Sequence, residues 1–367
     1  MEIKTTTADL LRNILIEETD ASLQKYAGTA PVEVVRSKGI LMSENVIQFL
    51  EPISIILTEP SPCVQYAYDP FYALYRGLWM LGGRNDVVSL AHYNEKMTRF
   101  SDDGKTLNGA YGYRWRHNCS MRPMLEESER TGDCVERYWH VNQLNILVDH
   151  LKVNPKSKKA VLQTWNVEDD LLKTGIRETT THKNKEWRTY SIPSKDVCCN
   201  LSVMFSLSPV SLPNEPDIYG RKLDISIVFR DINFYKFFED HVAFCFLHQY
   251  MAKKLCAEVG QMRYYINSFS TDLNCMQTKE TLCQENNLIH DIDQFEKELP
   301  LFLETFSGTN PERKTYFSYQ EPFFEQATQL MSILYQWKNG VETKDLVQEL
   351  KRMSGQWPTL VAQHISS

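Results

Sequence analysis

The 367-residue chain is 42% hydrophobic and 24% charged, with 40 Lys and Arg against 47 Asp and Glu, a net charge of −7. That balance leaves no basic footprint for duplex nucleic acid, and no stretch approaches the roughly 18 uncharged apolar residues that span a bilayer. Nine cysteines, an odd number without a CxxC pair, point to reduced thiols in a cytoplasmic compartment and away from a disulfide framework or a zinc site.

The opening "MEIKTTTADLLRNILIEETD" is acidic and amphipathic. It predicts a first helix and lead-in over residues 1–30 and not a signal peptide. "VEVVRSKGILM" and "NVIQFLEPISIIL" are rich in β-branched residues and read as strands. "DPFYALYRGLWMLGG" spaces apolar residues helically between an Asp-Pro start and a Gly pair. "SDDGKTLNGAYGYRWR" is a loop with DG and NG turn signals and an aromatic end. "ERYWHVNQLNILVDHLKVN" predicts an amphipathic helix and "KAVLQTW" a strand. "CNLSVMFSLSPV" and "KLDISIVFRDIN" alternate as neighbouring strands about the polar loop "SLPNEPDIYGRK". "FEDHVAFCFLHQYMAKKLCAEVG" is a helix closed by Gly260, with an apolar face wide enough to be buried. Beyond about residue 275 the pattern is mainly helical, including an acidic run near 282–306 and "PFFEQATQLMSILYQWKNG". Interleaved strands and helices without a flexible linker predict an α/β (α+β) fold: a core over 31–275 and a helical extension over 276–367 packed on the same domain.

Within "SKDVCCNLSVMF", Cys198 and Cys199 are adjacent at the start of a strand. Buried structural cysteine is the common case, and a nucleophile needs a nearby cation to hold it as the thiolate. The residue types alone leave both readings open.

In order along the chain, "ALYRGLWMLGGRNDV", "FSDDGKTLNGAYGYRWR", "NPKSKKAVLQTWN", "DVCCNLSVMF", "VFRDIN", "DHVAFCFLHQYMA" and "EPFFEQATQLMSILYQWKNG" resemble segments of the thymidylate synthase family, in particular its deoxycytidylate hydroxymethylase and phage-like branch. The resemblance implies a large mixed β-sheet flanked by helices and a homodimer packed sheet to sheet. The family acts on pyrimidine nucleoside monophosphates with 5,10-methylenetetrahydrofolate and no metal, and the setting is the cytoplasm, or a host's cytoplasm if the protein is phage-encoded. Its thiolate adds to C6 of the pyrimidine, so that C5 becomes nucleophilic. Cys199, six residues before Phe205, matches the nucleophile, and Cys198 is then a packing residue. Arg230 matches the arginine that contacts both the phosphate and the nucleophile. Lys158 and Lys159 stand where a partner subunit supplies a phosphate-binding arginine pair, keeping the charge without the bidentate fork. Arg36 or Lys38 supplies the flexible N-terminal cation. With a one-residue gap, Asp240 falls at the base-reading position, where aspartate accepts from the cytosine amine. Tyr111 and Trp165 keep cavity aromatics.

The pattern also departs from the family. Arg76 replaces the glutamate expected three residues before Trp79, a base exchanged for a cation that cannot act as one. The arginine strand reads Arg230-Asp231-Ile232-Asn233, which leaves Asn233 where a folate-side aspartate is expected. Ser270 and Asp272 replace the ribose-binding His and Tyr after Ser268. Three functions fit this mixture. One is C5 methyl or hydroxymethyl transfer through a Cys199 adduct, leaning to cytosine. A second is a related reaction on a larger, already modified nucleotide. The third is a catalytically degenerate member that serves as a nucleotide-binding, regulatory or assembly protein.

Overall fold

The computed structural model describes residues 2–5, 32–35, 46–49, 52–62, 64–65, 69–119, 124–127, 134–137, 140–171, 174–181, 184–191, 194–212, 215–272, 281–282, 288–308, 318–353, 355 and 357–366. Its centre is a six-stranded mixed sheet formed by β1 (Glu2–Thr5), β2 (Ile53–Leu57), β3 (Val161–Gln163), β4 (Asn200–Leu212), β5 (Glu215–Phe229) and β6 (Glu258–Ile266), in the order β1-β2-β6-β5-β4-β3. β1 and β2 run parallel, as do β5 and β6, and the other pairs are antiparallel. The period-2 pattern decides which face is buried. Ile55, Val203, Phe205, Ile225, Ile227, Met262 and Tyr264 point into the core. The alternate positions Val161, Met204 and Tyr265 are 44%, 38% and 44% exposed.

Helices cover the inner face. α1 (Pro70–Leu81) begins at Asp69, whose Oδ1 accepts from the Phe71 and Tyr72 amides, and ends at Gly82. All twelve of its residues are buried, Arg76 among them. α2 (Tyr111–His117) and α3 (Gln143–Val153) flank it. α4 (Phe234–Lys254) crosses beneath the sheet, and positions 240–252 along it are buried. The C-terminal helices are α5 (Ile292–Thr305), α6 (Pro322–Lys338), α7 (Thr343–Leu350) and α8 (Trp357–Ser366). They dock through apolar packing of Phe295, Phe302, Phe323 and Phe324 and through the Tyr75 hydroxyl, which donates to Leu303 O at 3.0 Å. A second sheet joins Ile232–Asn233, Phe269–Asp272, Val46–Phe49 and Val32–Val35. Among the described residues no helix is long and apolar enough to cross a membrane.

Several expectations need correction. Residues 2–5 are a strand and not the start of a helix, and most of the expected first helix lies outside the described residues. The aromatic end of the 101–116 loop is helical, as α2. The expected helix from residue 136 starts only at Gln143, where Asn142 caps it, and is preceded by short strands. β4 and β5 run on through the expected 211–222 loop to Leu212 and from Glu215. Gly260 does not close α4. The helix stops after Lys254, Cys256 takes φ 50°, and Gly260 lies inside β6. A Cβ at Gly260 would overlap the Asp224 carboxylate, which accepts from the Gln261 amide at 2.8 Å. Close strand approach, not helix termination, is what glycine serves there.

Candidate active site

Cys199 immediately precedes β4. The register passes from Asn200 opposite Phe229 to Ser202 opposite Val228, so Leu201 is the extra residue of a β-bulge. Bulges re-aim strand ends and are common beside active sites. The loop leading to Cys199 is fixed from below. Asp170, paired with the buried Arg114, accepts from the Cys198 amide at 3.0 Å. Asp196 accepts from the Gly109 amide at 2.7 Å, and a Cβ at Gly109 would stand 2.9 Å from that carboxylate.

Arg230 follows β5 and is tied to three consecutive residues of this loop. Its amide donates to Cys199 O at 3.0 Å, its Nε to Cys198 O at 2.8 Å and its Nη2 to Val197 O at 3.4 Å. Nη2 also lies 3.9 Å from Cys199 Sγ. A second cation approaches from the first turn of α4. Asn233 caps that helix by accepting from the Lys236 amide at 2.8 Å, and Lys236 Nζ lies 3.7 Å from Sγ and 6.0 Å from the centre of the Tyr111 ring.

One turn further along the same helix is Asp240, wholly buried. Its Oδ1 accepts from Arg76 Nη2 at 2.6 Å and its Oδ2 from the Tyr111 hydroxyl at 3.1 Å. The residue that departs from expectation, Arg76, is thus the ion-pair partner of the expected base reader. Arg76 Nη1 is buried and has no hydrogen-bond partner among the described residues.

Charge is dense here. Burial pushes the Cys198 thiol well above its ordinary value, which suits a packing residue. Burial alone would lower the Lys236 ammonium, but Cys199, Asp240 and Asp196 outweigh it and hold its pKa above the usual lysine value. Burial raises the Glu239 carboxyl, although Arg76 pulls the other way. Burial, and then the Asp240 charge, keep the Tyr111 phenol protonated far above its ordinary range, so it remains a donor.

The thymidylate synthase family model matches residues 73–182. The chain is 28% identical over 230 residues to a deoxyuridylate hydroxymethyltransferase of Pseudomonas phage M6, covering 61% of this chain and 52% of that protein. It is 29% identical over 199 residues to a deoxyuridylate hydroxymethyltransferase of Bacillus phage SP01, covering 54% and 41%. The chain is thus similar to the thymidylate synthase family over part of its length, and to these phage hydroxymethyltransferases. It spans about half the length, or less, of these curated relatives.

Thymidylate synthases use 5,10-methylenetetrahydrofolate on pyrimidine nucleotides, and several positions expected from that family come together here. Cys199, Arg230, Tyr111 and Asp240 form one network of contacts through Lys236 and Arg76. Trp165 is half-buried beside the bulge, its amide donating to Leu201 O at 3.2 Å. Asn233 spends its side-chain oxygen on the α4 cap. Ser270, buried, pairs with Asn233 in the small sheet, where Asp272 ends the strand. Lys158 and Lys159 are exposed and do not join the network. Ala160 O accepts from the Phe205 amide, six residues along β4 from Cys199, or about 20 Å at strand rise. Arg36 and Lys38 lie outside the described residues.

Lys236 is the residue that sequence reasoning missed. Its signal was its spacing: four residues before Asp240 on a helix, it shares the face of that carboxylate.

Proposed function

We propose that this chain transfers a hydroxymethyl group to C5 of a uracil nucleoside monophosphate through a covalent bond from Cys199 to C6. The observation that carries the reading is the buried Arg76–Asp240 pair with its unpartnered Nη1 donor. Side by side, the two residues offer one acceptor and one donor. Asp240 accepts from uracil N3–H and Arg76 donates to O4. When the thiolate adds, the S–C6 bond forms and the C5=C6 electron pair moves through C4 onto O4. That charge grows beside a guanidinium, the arrangement that stabilises a developing oxyanion.

Asp240 alone suggested cytosine. The same addition to cytosine needs a proton delivered to N3, and Arg76 does not release one near neutral pH. The names of the phage relatives, deoxyuridylate hydroxymethyltransferases, also favour uracil. A reduced folate supplies the one-carbon unit in this chemistry. The half-buried Trp165 ring suits a pterin face, and Asn233 has Nδ2 to offer it because the cap uses only its oxygen.

The functional unit in this proposal is a homodimer. The outer sheet face carries Val161, Met204 and Tyr265 uncovered, along with a groove of about 610 Å³ bordered by Arg230, Val228 and Ser54. Lys158 and Lys159, too distant to serve their own Cys199, then serve the other copy's phosphate. A second reading, nucleotide binding without turnover, draws on the closed Arg76–Asp240 pair, which already occupies both carboxylate oxygens when Tyr111 is included.

Titration calorimetry with deoxyuridylate and deoxycytidylate tests the base assignment. The uracil nucleotide should bind more tightly by about 1–3 kcal/mol, or roughly 5- to 150-fold, the cost of mispairing one buried polar contact. Tighter binding of the cytosine nucleotide reinstates the Asp240-only reading. Binding of neither at millimolar concentration overturns the proposal.

A further inference from the structure

We infer that Lys236 is the counter-ion that keeps Cys199 as the thiolate, and that Arg230 is the positioning residue for the loop that carries it. The inference rests on Cys199 being the nucleophile but not on which base it attacks. Arg230 spends its donors on backbone oxygens, Nε on Cys198 O at 2.8 Å and Nη2 on Val197 O at 3.4 Å. Its 3.9 Å approach to Sγ is the leftover of that clamp. Lys236 Nζ is closer, at 3.7 Å, and among the described residues Sγ is its only hydrogen-bond partner.

The position of Lys236 is set by two fixed points. The Asn233 cap holds its backbone at the first turn of α4, and the Tyr111 ring stands 6.0 Å from Nζ. Asp196 and Asp240, with Glu239 on the same helix, face it with negative charge, while Arg76 and Arg230 oppose it. This balance retains the proton on Nζ, so the ammonium is a constant charge across the range in which a thiol ionises. A compact ammonium with rotatable donors suits a sulfur that must leave its counter-ion to attack carbon, whereas a guanidinium already locked in a fork does not.

Peptide-resolved alkylation of the full chain with iodoacetamide across pH 5–10, without nucleotide, tests the inference. Mapping to Cys199 is needed because Cys256 is exposed. An opposite charge at this range favours the ionised form of a thiol, and the thiolate is the species that alkylates. Lys236→Met should therefore slow Cys199 labelling at pH 7 by about tenfold or more and displace the rate profile to higher pH. Lys236→Arg should keep labelling within about threefold of wild type, and Arg230→Gln should displace the profile less than Lys236→Met does. Lys236→Gln, shorter and neutral, repeats the test if the methionine variant does not fold, and thiolate absorbance near 240 nm against Cys199→Ser provides a measure independent of reagent access. An unchanged profile in Lys236→Met or Lys236→Gln, or a larger displacement in Arg230→Gln, overturns the assignment. If no nucleotide adduct forms while the profile shifts as stated, the functional proposal fails and this inference stands.

Discussion

Asp240→Asn probes the ion pair on which the base assignment depends. Asparagine keeps the shape of the site and still gives the Tyr111 hydroxyl an acceptor, but it strands the Arg76 guanidinium. Arg76 is 5% exposed and Asp240 0%, their contact is 2.6 Å, and Arg76 Nη1 already lacks a partner. Solvent cannot take over the lost charge. Removing one member of such a pair costs about 3–5 kcal/mol of stability. Arg76→Met leaves Asp240 with the Tyr111 donor and with Lys236 nearby, so it should cost less. In the double variant neither charge is stranded, and residues in contact couple by about 0.5–3 kcal/mol, here toward the upper end. Urea unfolding followed by tryptophan fluorescence, with the slope compared between variants, reads all four corners of the cycle. Single costs below about 1 kcal/mol, or strictly additive ones, would refute the view of Arg76 as the charge partner of Asp240.

Three further outcomes are expected. His241 and His248 are buried and donate from Nε2 to Ser61 O and Leu223 O, and burial lowers each pKa from 6.5 to about 4. Their contribution is full above pH 6.5 and is lost as pH falls toward 4, about 2 kcal/mol each at pH 5, so urea midpoints should drop over that window, and a flat profile contradicts this. Glu321, wholly buried, accepts from the His290 and Asp291 amides at 2.8 and 2.9 Å. Glu321→Ala should cost about 1–3 kcal/mol for each stranded amide, and a urea midpoint equal to wild type would show that the staple carries little. Light scattering at micromolar concentration should give a dimer, and a monomer would remove Lys158 and Lys159 from the phosphate site.

Much of the fold was legible because local signals agreed with tertiary burial. The Asp-Pro start and Gly pair bounded α1, and strict alternation identified the inner parts of β4 and β5. The outer parts, 211–222, were read as a loop because they are polar and contain Pro213 and Pro216, which demote a strand, yet the strands run to Leu212 and from Glu215, with Pro216 inside the second. The end of α4 carried no sequence signal, since a cysteine at positive φ takes the place where glycine usually stands. In the site, family order was enough to name Cys199, Arg230, Tyr111 and Asp240, which the fold brings into one network. Arg76 read as a loss because it lies 164 residues from Asp240 in sequence and only the fold brings the two charges together. Lys236 was passed over because the same turn of helix drew attention to its acid.

The most direct test of the account is mass spectrometry of the denatured protein after incubation with 5-fluoro-2′-deoxyuridylate, with and without 5,10-methylenetetrahydrofolate. The account predicts a covalent adduct that maps to the Cys199 peptide, is absent in Cys199→Ser and is much weaker with the cytosine analogue. An unmodified chain under both conditions, or an adduct on any other cysteine, would contradict it.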